Sequence, residues 1–198
     1  MTNRRSIDRP PESRPIWLVR AGREGRYIGD FEEAEVVGLG WKAAGVDVDL
    51  PKDDLVALVR AAYPGSSKKA AMSGASQLIR WRDEVTVGDG VVSYDRDRRR
   101  YLLGEIASDL RYDEEALPEL PRVRSVSWTG HVPKDVLSEG VQNSLSTLLT
   151  LTKTRDDVAA ELLRYAVPLD RSLEEAAGLT NSPDARRHAL TGRRSGCG

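Results

Sequence analysis

The sequence predicts an α+β protein, with a twisted mixed sheet or partial barrel of five or six strands and flanking helices. Two short apolar runs typical of buried strands come first, and two segments with helical spacing follow them. A two-residue alternation typical of strands then returns. The 198 residues, 39% of them hydrophobic, leave room for one main core and an appendage.

The predicted strands are short segments closed by glycine or polar residues. The apolar runs Ile16–Arg20 and Val36–Trp41 predict buried strands. Valines between Val85 and Tyr94, a charged loop and the return over Tyr101–Ile106 predict a hairpin. Residues from Val126 to Val132 alternate between apolar and polar, which predicts a strand with one buried face.

The predicted helices carry start and stop signals. One helix should begin after Pro51, where two carboxylates oppose the helix dipole, and should end before Pro64. Ser66 or Ser67 can cap a second helix over Lys68–Asp83.

A third helix is predicted near the end of the chain, from Arg155 to Ala166 with Thr154 as its cap. The two ends of the chain are polar and rich in Pro, Gly, Ser and Arg, which is typical of disorder. We therefore expect a disordered leader (1–15), a core domain (16–155), a helical extension (156–179) and a disordered tail (180–198).

Charge is balanced overall but clustered locally. The chain has 30 Lys and Arg against 31 Asp and Glu, so its net charge of -1 gives no argument for a nucleic-acid partner. No carboxylate occurs between Leu55 and Arg82, although that window holds five cations: Arg60, Lys68, Lys69, Arg80 and Arg82. A second cluster lies in the predicted hairpin loop: Arg96, Arg98, Arg99 and Arg100. Both clusters suit either phosphate contact on one face or plain solvation.

Several classes of protein are disfavoured. The chain has a single cysteine, Cys197, which cannot form an intrachain disulfide, and it has no signal peptide or apolar run of about 20 residues. We therefore expect a cytoplasmic protein without membrane contact. No phosphate-binding loop, serine elbow or zinc-ligand spacing occurs, so neither a cofactor nor a metal is expected.

The order of segments resembles the N-terminal domain of Mrr-like restriction endonucleases, over roughly Ile16 to Arg155. The segments that carry the likeness are Ile16–Gly22, Val37–Trp41, Ser76–Leu78, Gly88–Asp95, Tyr101–Ile106, Asn143–Leu145 and Leu149–Leu151. More distantly the layout is similar to EVE and YTH domains of the PUA-like superfamily, which are small mixed barrels that hold a flipped, modified base between aromatic side chains. The resemblance implies a PUA-like, EVE-like fold.

The resemblance puts Trp41 and Tyr94 near a base pocket, and further residues are candidates for contacts with the base or with phosphates. An amide can pair with an adenine edge, so Gln77 and the nearby Ser73 are candidates. Trp17 is a pocket candidate, although a core position is the simpler interpretation. Trp81 and Trp128 are expected in the core, whereas Trp41 fits either role. The candidate phosphate contacts are Arg20, Arg23, Lys68, Lys69 and Arg82.

A nuclease centre is not expected. Restriction nucleases of the Mrr-like family hold a metal with an Asp and a Glu-x-Lys motif, and this chain has no Glu-x-Lys and only two histidines. The resemblance thus predicts a non-catalytic DNA reader of a restriction or defence system, which binds a duplex with a modified base and works with a separate nuclease subunit. Two alternatives stay open: an RNA-binding module of the same fold, and a protein-interaction or regulatory domain with a vestigial pocket.

Overall fold

A computed structural model describes residues 14–45 and 50–169. The predicted tail (180–198), nearly all of the predicted leader (1–15) and the end of the helical extension lie outside the described residues. The described residues up to Val167 belong to one compact unit, and Pro168 and Leu169 belong to a second.

Eight strands and five helices follow each other along the described part of the chain, with α2 and α3 adjacent and β3 to β6 consecutive. The strands are β1 (Ile16–Val19), β2 (Val36–Leu39), β3 (Gly90–Asp95), β4 (Arg100–Ile106), β5 (Arg111–Tyr112), β6 (Arg122–Pro133), β7 (Leu151–Lys153) and β8 (Val167–Pro168). The helices are α1 (Ile28–Glu33), α2 (Lys52–Ala62), α3 (Lys68–Asp83), α4 (Glu139–Leu145) and α5 (Asp156–Arg164). Short 3-10 turns occur at Arg23–Gly25, Lys42–Ala44 and Lys134–Val136.

Six strands form a curled mixed sheet in the order β2-β6-β4-β3-β1-β7. Along this path β1 and β3 are parallel, and the other neighbours are antiparallel. The long strand β6 links two parts of the sheet, because Arg122–Ser125 pair with β2 whereas Val126–Pro133 pair with β4. The curled sheet with its flanking helices confirms the predicted α+β partial barrel.

Local signals predicted two helices well and one cap wrongly. Helix α2 begins directly after Pro51, and Ser67 Oγ caps α3 by accepting a hydrogen bond from Ala70 N at 3.1 Å. Thr154 does not cap α5. Its hydroxyl donates instead to the carbonyl of Ile16 at 2.9 Å, which ties the end of β7 to β1.

Three of the four tryptophans lie in the core. Trp17, Trp81 and Trp128 are at most 3% exposed, and each indole N–H donates to a buried partner. The partner of Trp17 is Asp89 Oδ2, at 3.0 Å. Trp17 is therefore a core residue with a satisfied donor, and its placement in a base pocket is wrong.

Within the described ranges, no helix has the length and apolar character needed to cross a membrane.

Candidate nucleic-acid interface

A cavity of about 330 Å³ lies where the chain leaves β1 and β2. Its lining combines one aromatic ring and two arginines with small or apolar residues: Arg20, Gly22, Arg23, Gly40, Trp41, Leu120 and Thr150. The sequence predicted Trp41, Arg20 and Arg23 for separate roles, and the fold brings these three together. Gly40 and Gly22 had no such prediction, because only the folded chain shows which turns border an opening.

Trp41 both lines the cavity and packs on helix α3. It is half-buried and has a left-handed backbone, with φ of 59°. Its ring covers Gly74, where an added Cβ would lie 2.7 Å from Trp41 Nε1 and 3.0 Å from Cε2. The absence of a side chain at Gly74, inside α3, thus permits the close approach of the tryptophan ring.

A buried arginine holds the backbone on both sides of Trp41. Arg122, on β6, is 1% exposed and donates from Nη1 to the carbonyl of Gly40 at 2.8 Å and from Nη2 to that of Gly45. Burial lowers the pKa of the Arg122 guanidinium, and the ring of Tyr112 lies 5.5 Å away from it. An arginine stays protonated at neutral pH, so this contact fixes the loop with a buried charge. Sequence analysis missed Arg122, although Arg122 and Arg124 share one face of a strand.

The two cavity arginines have no carboxylate partner in the described ranges. Arg20 donates from Nη1 to the carbonyl of Leu148 at 2.8 Å, and its backbone N–H donates to Thr150 O at 2.9 Å. Arg23 is exposed in a 3-10 turn. A guanidinium combines charge with a planar face that stacks on aromatic groups, so this cavity suits an anionic ligand with a flat ring.

Gln77 is a structural amide, and its predicted contact with a base edge is wrong. It is 7% exposed, and Oε1 accepts hydrogen bonds from Thr150 N at 2.7 Å and Leu151 N at 3.0 Å. Its Nε2 donates to the hydroxyl of Ser73 at 3.3 Å, so Ser73 serves the same contact. The pair holds the start of β7, and thereby Thr150, in the cavity wall.

Tyr94 lies in a different cluster from Trp41. Its ring packs on Tyr101 with a centroid distance of 4.8 Å, and Lys134 Nζ lies 5.4 Å from its centroid. Burial raises the pKa of Tyr101 to about 12, so that phenol stays neutral. The residues that line the Trp41 cavity do not include Tyr94. A base held between the rings of Trp41 and Tyr94, as the resemblance implied, does not fit this arrangement.

The lysines predicted to bind phosphate lie at the start of α3, the helix on which Trp41 packs. Lys68 and Lys69 are exposed and form no ion pair with another described residue. At about 1.5 Å per residue, they precede Gly74 by roughly 8–9 Å along the helix axis. Arg82 lies at the opposite end of α3 from the two lysines and pairs with Asp83 at 2.8 Å.

The arginines of the β3–β4 turn are neutralised by carboxylates. Arg98 and Arg100 each pair with both Glu32 and Asp95. The remaining pairs are Arg96 with Glu24 and Arg99 with Asp135. The hydrogen bond from Arg99 lowers the pKa of Asp135, and the bond to Glu32 raises that of Arg98. A cavity of about 480 Å³ beside this turn includes five members of these pairs in its lining: Glu24, Glu32, Asp95, Arg96 and Arg98.

Comparison with known proteins identifies a family. A search of curated proteins found no similar sequence. The sequence model of one family matches residues 17–154, which run from β1 to β7 and include every residue that lines the Trp41 cavity. The chain therefore belongs to the family described as "Domain of unknown function (DUF8426)".

Proposed function

We propose that this chain is a DNA-binding reader domain that accepts a flipped, modified base in the cavity beside Trp41. The observation that carries the proposal is the meeting of a half-buried tryptophan with two arginines that have no described carboxylate partner, around an opening of about 330 Å³. Ligand cavities typically measure about 300–1,000 Å³, so this one suits a small flat group rather than a folded peptide.

The energetics of base extrusion fit these residues. Taking a base out of a duplex costs a few kcal/mol, and stacking it on an aromatic side chain returns about 1–3 kcal/mol. Trp41 supplies one face, and because Tyr94 lies elsewhere, the guanidinium of Arg20 or Arg23 is the planar group left for the other. Arginine planes serve this stacking role in nucleic-acid complexes.

The resemblance to the N-terminal domain of Mrr-like endonucleases supports a role in restriction or defence. In this proposal the chain reads the base without cutting DNA, in the cytoplasm, and a separate nuclease subunit supplies the cleavage. Lys68 and Lys69 add sequence-independent attraction to phosphates along α3.

Binding to matched duplexes tests the proposal. The purified chain is titrated at fixed salt with duplexes that differ only in one base: cytosine, 5-methylcytosine, 5-hydroxymethylcytosine or N6-methyladenine. We expect one modified duplex to bind more tightly than its unmodified match. Preference for single-stranded RNA would favour the RNA-binding alternative, and no salt-dependent binding of any nucleic acid would favour the protein-interaction alternative.

The variant Trp41→Leu tests the cavity itself. Leucine keeps apolar contact with α3 but lacks the aromatic face, so discrimination between modified and unmodified DNA should fall by about 1–3 kcal/mol while weak unselective binding remains. Tyr94→Leu is the matched control, because Tyr94 is an aromatic residue outside the cavity. A folded Trp41→Leu protein with its preference intact would contradict the proposal.

Intrinsic fluorescence offers a second measurement. Trp41 is half-buried, whereas the other three tryptophans are at most 3% exposed, so acrylamide quenching reports mainly on Trp41. A modified duplex should protect the fluorescence from acrylamide more than the unmodified duplex does. Equal protection by both would show that the base does not reach the cavity.

A further inference from the structure

An exposed leucine, Leu148, is hydrogen-bonded through its backbone to an arginine that lines the Trp41 cavity. The side chain of Leu148, between α4 and β7, is 87% exposed, and that of the next residue, Leu149, is 42% exposed. The carbonyl of Leu148 accepts a hydrogen bond from Arg20, which lines the cavity, and Thr150 two residues later lines it as well. An exposed apolar residue is therefore joined to the cavity wall through its own carbonyl and through Thr150, two residues later.

The backbone that carries Leu148 is anchored on both sides. Arg20 Nη1 holds the carbonyl of Leu148 at 2.8 Å, and Gln77 Oε1 holds the N–H of Thr150 at 2.7 Å. Within the segment, Leu149 N donates to Thr147 Oγ1 at 3.2 Å. Because Gln77 is itself buried on α3, the segment is tied to the core of the domain.

We infer that the substrate is base-paired duplex DNA, and that Leu148 enters the stack as the base leaves it. The inference rests on the proposed function. Proteins that open a duplex insert leucine, isoleucine, phenylalanine or methionine between base steps, since an apolar wedge replaces the lost stacking contacts. A single strand has no partner base to separate and gains little from such a wedge.

The charges beside Leu148 fit a duplex. Arg20 and Arg23 border the cavity without a described carboxylate partner, so one of them can stack on the base while the other contacts a phosphate beside the opened base pair. The three elements needed for extrusion thus lie side by side: a wedge at Leu148, an aromatic acceptor at Trp41 and phosphate contacts at the arginines.

The test compares Leu148→Ser with Leu163→Ser, a control at another leucine of high exposure (60%) on α5. Each protein is titrated with three fluorescein-labelled DNAs that contain one 5-methylcytosine, with 5-hydroxymethylcytosine and N6-methyladenine sets run in parallel. The DNAs are a fully paired duplex, a duplex with an abasic site opposite the modified base, and the single strand.

Wild type and Leu163→Ser should prefer the duplexes to the single strand. Leu148→Ser should bind the paired duplex about tenfold more weakly, because opening costs a few kcal/mol, and should bind the other two DNAs as wild type does. With 2-aminopurine beside the modified base, the fluorescence rise on binding should be smaller for Leu148→Ser than for wild type.

Other outcomes separate the wedge from the cavity. If Leu148→Ser leaves all three DNAs unaffected or weakens all three alike, the wedge is wrong, and the Trp41→Leu result still decides the proposed function. If wild type prefers the single strand, the duplex substrate is wrong. Absence of wild-type binding to every DNA would overturn both the proposed function and the wedge.

Discussion

Two groups of basic residues, one in the β3–β4 turn and one at the cavity and the start of α3, differ in their surroundings. In the β3–β4 turn, the arginines between Arg96 and Arg100 each pair with a carboxylate, several of them far away in the chain. At the cavity and the start of α3, Arg20, Arg23, Lys68 and Lys69 form no ion pair with another described residue. Only the second region keeps its positive charge available to a ligand.

The difference shows why a local excess of cations is a weak guide to a nucleic-acid face. The neutralising partners of the turn come from α1 and from the 3-10 turn after β6, through Glu32 and Asp135. Asp95 is 3% exposed and accepts from the backbone N–H of Arg98 as well. The charges of the turn are therefore engaged in ion pairs within the fold, whereas those of the cavity face form no ion pair with another described residue.

The largest effect should follow removal of Asp95. Asp95→Ala leaves the half-buried guanidinium of Arg100 with Glu32 as its one carboxylate, and the unfolding free energy should fall by at most the roughly 3–5 kcal/mol that loss of a whole buried ion pair costs. Asp95→Asn should cost less, because an oxygen is kept for Arg98 N. Urea denaturation measures both changes.

Asp97→Ala is the matched control, since Asp97 is an exposed carboxylate of the same turn. Its change should stay within about 0.5 kcal/mol, as is usual for exposed sites. If Asp95→Ala and Asp97→Ala lower the unfolding free energy equally, the ion pairs of Asp95 with Arg98 and Arg100 do not stabilise the fold.

The second effect concerns the salt dependence of DNA binding. Lys68→Gln with Lys69→Gln removes two phosphate contacts and should flatten the slope of log K against log salt by about 1.8. Arg96→Gln with Arg99→Gln removes the same charge from the turn and should leave the slope unchanged, because both arginines are already paired. If the turn variant changes the slope and the lysine variant does not, DNA binds at the β3–β4 turn and not at the start of α3.

Local signals predicted most of the fold. Proline, serine caps and apolar spacing are sufficient to define α2 and α3, and alternation defines the β3–β4 hairpin and most of β6. The six-residue helix α1 and the seven-residue helix α4 were missed, because such short helices are stabilised mainly by tertiary packing.

The candidate site was predicted only in part. Trp41 could be singled out because the resemblance puts it, at the end of a predicted strand, near a base pocket. The positions of Tyr94 and Gln77 depend on which strands lie side by side in the curled sheet, and a single sequence does not encode that order locally. Arg122 needed the structure for the same reason, since its partners Gly40 and Gly45 are about 80 residues away.

The smallest expected effect is a pH dependence of the folding stability through His131. This residue lies on β6 and senses the charges of Arg100 and its ion-pair partner Glu32 beside the β3–β4 turn. Burial lowers the pKa of His131, the charge of Arg100 lowers it further, and Glu32 opposes both. Below about pH 6.5 the unfolded chain therefore binds a proton that the folded chain resists, so stability is complete above that pH and declines as the pH falls toward the folded pKa. The loss of unfolding free energy should stay under about 1 kcal/mol, because one pKa unit equals about 1.4 kcal/mol and His131 is only half-buried.

Proton NMR measures the titration of His131. In the His188→Gln variant, His131 is the one histidine in the spectrum, and we expect its titration midpoint below pH 6.5. Adding Glu32→Gln should lower that midpoint further, since Arg100 then acts without the opposing carboxylate; a rise would show that the paired charges of the turn do not reach His131.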